Sequence, residues 1–137
     1  MTVSEIMHKG VNTVQIHDSL RKVASLMKKY DIGSVPVFKN ERPVGFVTDR
    51  DIVISAVAHG HPPEAPISGA MTRDLYTVLE DDSLEKAADI MQSKKISRLL
   101  VVDSGNVPVG MISLHDIVEF TNDTELKAKI ITQIKRG

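Results

Sequence analysis

Leu20, Val23, Ala24 and Met27 recur at i, i+3, i+4 and i+7, a spacing that puts four apolar side chains on one face of a helix. Leu84, Ala87, Ala88 and Met91 predict a second helix with the same buried face. Asp18 is placed to cap the first helix, and Lys28 and Lys29 sit where the carbonyl end of its dipole favours positive charge. In the second, Asp82 and Glu85 have capping-box spacing, and Lys94 and Lys95 close the helix. Short β-branched runs at residues 34–38 and 45–48 flank the polar turn Lys39-Asn40-Glu41-Arg42 and predict a hairpin. Residues 99–103 and 110–113 predict another around Ser104-Gly105-Asn106. A short helix over 4–8 and a short strand over 12–15 lead into the first copy.

The same pattern thus occurs twice. Pro43-Val44-Gly45-Phe46-Val47-Thr48-Asp49-Arg50-Asp51-Ile52-Val53 returns as Pro108-Val109-Gly110-Met111-Ile112-Ser113-Leu114-His115-Asp116-Ile117-Val118. Each reads as a turn ending in Gly, an apolar strand, and a hydroxyl residue three positions before an Asp at the mouth of an apolar helix. At an offset of 64, Met7 meets Met71, Asp18-Ser19-Leu20 meets Asp82-Ser83-Leu84, and Ile32 meets Ile96; beyond the hairpin turn the offset is 65. The prediction is a mixed α+β fold of two β-α-β-β-α repeats related by a pseudo-two-fold, burying their apolar faces against each other in one compact module. Residues 1–61 form the first repeat and 70–123 the second. Residues 62–69, in a stretch carrying Pro62, Pro63 and Pro66 that cannot continue a helix, are the linker. In 124–137, Leu126, Ile130, Ile131 and Ile134 make a narrow apolar stripe on a helical tail, expected to dock on the module or on a partner subunit.

Composition narrows the function classes. With 17 Lys and Arg against 18 Asp and Glu, the net charge of -1 supplies no whole-molecule field for nucleic acid or an anionic membrane. The absence of cysteine removes disulfides and thiolate metal sites. No apolar run approaches the roughly 18 to 20 residues needed to cross a bilayer, and no signal peptide opens the chain, so a soluble cytoplasmic protein is expected.

The doubled Asp-Ser-Leu at a helix start, the Ile-Gly-Ser-Val-Pro-Val and Ile-Ser-Arg-Leu-Leu-Val strands, and the Gly-x-x-Thr/Ser-x-x-Asp-Ile-Val motif together resemble a tandem pair of CBS (cystathionine-β-synthase) domains, of the kind found as small stand-alone bacterial proteins. The resemblance covers all but linker and tail. It implies a non-catalytic regulatory module that senses AMP, ADP, ATP or S-adenosylmethionine in two clefts between the repeats and passes occupancy through a homodimer to an unidentified regulated protein. One cleft would combine Ser113 and Asp116 with Val11, Asn12, Ile32 and Gly33. The other would combine Thr48 and Asp51 with Leu75, Tyr76, Ile96 and Ser97. No cofactor is required beyond the regulatory nucleotide.

The chemistry of these residues agrees. An ionised Asp51 or Asp116 accepts both hydrogens of a ribose diol through charge-assisted bonds. Thr48 and Ser113 lie where helix-start amides also favour phosphate. Arg98, and secondly Arg50, can present a guanidinium to phosphate oxygens. The competing reading is that both hydroxyl-x-x-Asp motifs are simple capping boxes, leaving a structural or interaction module with vestigial pockets. His59 and His61 lack a third metal ligand nearby and fit an exposed linker better. His115 reads as a surface residue, Met27 and Met91 as core. Lys127, Lys129, Lys135 and Arg136 make the tail basic without aromatics to stack bases, so no nucleic-acid site is expected. Neither a nucleophile beside a base nor a P-loop is present, and no catalytic residue is assigned. Ile52, Val53, Ala56, Val57, Ile117 and Val118 are the expected dimer face.

Overall fold

The computed structural model describes residues 1–136, with the side chains of Lys135 and Arg136, read above as part of a basic tail, outside the described residues. The chain forms two compact units, Met1–Val11 with Tyr76–Gly137 and Asn12–Leu75, so the units do not follow the repeat boundaries.

In the Asn12–Leu75 unit, β2 (Val14–Gln15) runs parallel to β3 (Ser34–Lys39), which pairs antiparallel with β4 (Arg42–Thr48). The crossover helix α2 (Leu20–Tyr30) buries Leu20, Val23 and Met27 against Val35, Val37 and Val47. Ala24, expected on that buried face, is exposed. The hairpin turns at Asn40, whose φ of 57° is the left-handed conformation Asn tolerates. After β4 come a short α3 (Asp49–Asp51), a π-helical turn Ile52–Ala56 and a 3-10 turn Val57–His59. Residues 62–69 are built into this unit: Ala65 and Pro63 carbonyls accept from the free amides of Leu20 and Arg21 at the start of α2, and Ile67 is fully buried.

The other unit repeats the plan with additions. A four-stranded sheet has the order β1 (His8–Lys9), β7 (Pro108–Ser113), β6 (Arg98–Val102), β5 (Thr77–Leu79), with β5 and β6 parallel across α4 (Leu84–Lys94). The leading helix α1 (Val3–Ile6) is shorter than the sequence suggests, because His8 is drawn into strand pairing with Met111. Met1 carbonyl accepts from Leu84 amide as Ala65 does from Leu20, so each repeat's leading segment caps the helix of the other repeat. Helix α5 (Leu114–Phe120) follows β7, and α6 (Thr124–Arg136) packs on α4 and α5. Leu126 and Ile130 are buried in the core with Ala88 and Ile117, Ile134 packs at its edge, and Lys129 Nζ meets Asp89 at 3.0 Å. The tail therefore docks on its own chain. Ile131 falls off the buried stripe and is exposed.

Both helix caps differ from expectation in the same way. Ser19 and Ser83 are the N-caps, accepting from Lys22 and Lys86 amides at 3.1 Å, whereas Asp18 and Asp82 turn back to accept the amides of Gln15 and Leu79. Glu85 consequently lies inside the first turn rather than closing a box. Burial opposes charge on Asp18, but the Gln15 amide and the Lys22 ammonium outweigh it and hold this carboxyl below its ordinary range.

Candidate functional site

Gly45 and Gly110 lie within strands rather than ending turns, and they set up the site in each unit. A Cβ on Gly45 would collide with the carbonyl oxygen of Thr72, and one on Gly110 with the carbonyl oxygen of His8. Glycine lets the leading segment cross the strand at backbone contact. Phe46 and Thr72 exchange backbone hydrogen bonds of 2.9 and 2.8 Å at one crossing, and His8 and Lys9 pair with Met111 and Gly110 at the other. Thr72 and His8 are thereby delivered to the helix starts that follow β4 and β7.

At those helix starts both hydroxyl-x-x-Asp motifs form complete capping boxes. Asp51 amide donates to Thr48 Oγ1 at 3.0 Å and Thr48 amide to Asp51 Oδ2 at 3.0 Å. Asp116 amide donates to Ser113 Oγ at 3.1 Å and Ser113 amide to Asp116 Oδ2 at 2.8 Å. The capping reading thus accounts for one carboxylate oxygen in each unit. It leaves Oδ1, and here the units differ. Asp51 is half-buried and its Oδ1 meets only a long 3.5 Å contact from Thr72 Oγ1 among the described residues. Asp116 is buried, 7% exposed, and its Oδ1 is 3.0 Å from His8 Nε2. Against an ionised carboxylate that ring nitrogen carries the hydrogen.

The remaining sequence candidates divide between the units. Val11, Tyr76, Ile96, Ser97 and Arg98 lie in the same unit as Ser113 and Asp116; Asn12, Ile32, Gly33, Arg50 and Leu75 lie in the same unit as Thr48 and Asp51. Tyr76 and Ile96 pack at the edge of their unit's core, and Lys94 Nζ lies 5.2 Å from the Tyr76 ring centre. Arg98 Nη1 donates to Ser97 Oγ at 3.4 Å. Gly33 carbonyl accepts from Asp49 amide at 3.0 Å, and Ser97 carbonyl from Leu114 amide at 3.0 Å, so the two strand starts hold the two helix starts alike. A Cβ at Gly33 would press to 3.2 Å on the Asp49 carboxylate; buried Leu114 replaces Asp49 in the other copy, where Ser97 is accommodated.

Three residues were missed from sequence. Ser34 sits in register opposite Thr48 with its hydroxyl buried and without a hydrogen-bond partner among the described residues. His8 and Thr72 were both legible in principle, since matching Met7 to Met71 places them at equivalent positions. Of the expected dimer face, Ala56 and Ile117 are consumed by the two cores, Ile52 and Val118 are half-buried, and Val53 and Val57 are exposed together with Ile54. No group of three His, Cys, Asp or Glu among the described residues is arranged to hold a metal. Nor is any described helix long and apolar enough to cross a membrane.

Comparison with known proteins places this geometry. The chain is 32% identical to the CBS domain-containing protein YhcV of Bacillus subtilis over 97% of its own length and 94% of that protein. Among solved structures it is similar to Hypoxic Response Protein I with two coordinated zinc ions (29% identity, TM-score 0.75, 88% of this chain and 99% of that one). It is also similar to the CBS domain pair of protein MJ0100 in complex with 5′-methylthioadenosine and S-adenosyl-L-methionine (28% identity, TM-score 0.75, 87% and 94%). The CBS domain family model matches residues 3–57 and again 67–123, and the chain belongs to the CBS domain family.

Proposed function

We propose that this protein is a non-catalytic regulatory module that senses adenosyl nucleotides at two sites, one built on each capping box. The observation that carries the reading is the half-free carboxylate: Asp51 has Oδ2 fixed by the Thr48 amide while Oδ1 holds only a 3.5 Å contact, which orients the group and leaves it able to accept a ribose diol. Asp116 is the second ribose acceptor. Thr48 and Ser113 orient these carboxylates, and Ser34 offers a hydroxyl without a partner beside Thr48. Val11, Asn12, Ile32 and Gly33, and Leu75, Tyr76, Ile96 and Ser97, supply apolar walls and backbone groups for adenine, while Arg50 and Arg98 face phosphate. The adenosyl ligands held by the MJ0100 pair support this ligand class.

Calorimetric titration with AMP, ATP and S-adenosylmethionine tests the reading. Asp51→Ala and Asp116→Ala are each expected to weaken one site by about 1.5 to 3 kcal/mol while the other changes much less. Affinities untouched in both variants and in the double variant, at a temperature where all are folded, overturn it and leave the boxes as caps. Occupancy is passed on through a homodimer that covers the exposed Val53, Ile54 and Val57, and a regulated protein reads that dimer. Sedimentation at micromolar concentration should return a dimer; a monomer with and without nucleotide removes this part of the proposal.

A further inference from the structure

His8 and Thr72 occupy equivalent places, each carried over a glycine by backbone contact and each aimed at the Asp of the neighbouring capping box. They present different chemistry to it. Thr72 Oγ1 lies 3.5 and 3.4 Å from the two oxygens of Asp51, a contact at the limit of a hydrogen bond. His8 Nε2 lies 3.0 Å from Asp116 Oδ1, and Asp116 Oδ2 is already held at 2.8 Å by the Ser113 amide. Both oxygens of Asp116 are thus engaged, and only one of Asp51.

We propose that His8 is an affinity-determining residue that competes with the ligand for Asp116, so that the two sites are unequal and the Asp51 site fills first. This rests on the nucleotide reading of the two boxes. A ribose diol must displace the imidazole or share Oδ1 with it, whereas at Asp51 it displaces only a long hydroxyl contact. His8 is exposed, 76% of its side chain, so it can swing out without disturbing the core.

Adenosine, which has no phosphate to titrate, is the probe. On an Asp51→Ala background only the Asp116 site keeps its ribose acceptor, and adding His8→Thr is expected to tighten adenosine about two- to tenfold, the net worth of one hydrogen bond. On an Asp116→Ala background, Thr72→His is expected to weaken adenosine by a similar factor. Should either Ala background fail to fold, Asn keeps the acceptor to the box and replaces it. If each site still depends on its own Asp but both exchanges leave affinity unchanged, His8 has no such role and the nucleotide reading stands. If adenosine binding is indifferent to both Asp residues, the reading falls and this inference falls with it.

Discussion

Ala24 and Ala88 hold equivalent positions on α2 and α4, yet Ala24 is exposed and Ala88 is 2% exposed. The difference traces to α6, which lays Leu126 and Ile130 into the core that contains Ala88; the Asn12–Leu75 unit has no such helix and leaves Val53 and Ile54 exposed on its π-helical turn and Val57 just after it. The backbone devices are the same in both units: glycine crossings, serine caps, capping boxes and a carbonyl from the leading segment on each helix start. What differs is side chains laid over that frame. Duplication supplies the frame twice, and the tail and His8 then set the copies apart in what covers the crossover helix and in what meets the motif Asp.

The largest expected effect tests the tail. Ile130 is 1% exposed, so Ile130→Ala should cost about 2 to 4 kcal/mol by cavity formation, while Ile131→Ala on the exposed side should cost almost nothing. Equal effects in urea unfolding would mean that α6 does not stabilise its unit through this stripe. Next come the crossings. Gly45→Ala and Gly110→Ala each push a methyl into a backbone carbonyl, which cannot rotate away, and each should cost about 1 to 3 kcal/mol. A neutral result at one glycine alone would show that one leading segment yields where the other holds.

Smaller again are the caps. Ser19→Ala and Ser83→Ala each remove a 3.1 Å bond to a helix amide in matched geometry, so both should cost about 0.5 to 2 kcal/mol and by equal amounts. Unequal losses in thermal unfolding would locate a difference between the units at their helix starts as well as at their surfaces.

The repeat, the order of elements and most of the core could be read from sequence because each rests on local periodicity: Leu20, Val23, Met27, Leu84, Ala87 and Met91 are buried as spaced. Local periodicity also misled. Ala24 has the right spacing, but burial depends on a partner helix that only α4 receives. Asp18 and Asp82 were read as caps because Asp is a good cap, and the choice between Asp and the adjacent Ser is made by the turn behind, where the Gln15 and Leu79 amides need an acceptor. The motif Asp residues were found directly, as part of a doubled pattern. His8 was not: the repeat alignment sets it level with Thr72, but its contact with Asp116 follows from a crossing between segments 108 residues apart.

Asp18 and Asp82 give the finest comparison. Each accepts a turn amide and a lysine one helical turn on, but Lys22 lies 3.1 Å from Asp18 while Lys86 lies 3.4 Å from Asp82, and the Asp18 side chain is the more buried, 11% against 17% exposed. The lowered Asp18 carboxyl means that the folded state holds this proton more weakly than the unfolded chain does. Its contribution is therefore complete above the unfolded aspartate value of about 3.9 and is lost as the pH falls through the lower folded value. Asp18→Asn keeps an acceptor for the Gln15 amide and removes only the charge, so the wild type should exceed it by about 1 kcal/mol or less at neutral pH. That margin should stay flat down to about pH 5 and close as the pH falls from the unfolded value through the lower folded value, below which folded Asp18 is itself neutral. Asp82→Asn, with the longer lysine contact, should show a smaller margin at neutral pH. Urea unfolding of the three proteins from neutral to acid pH measures both margins, and a gap between wild type and Asp18→Asn that persists undiminished in acid would show that charge on Asp18 contributes nothing to the turn.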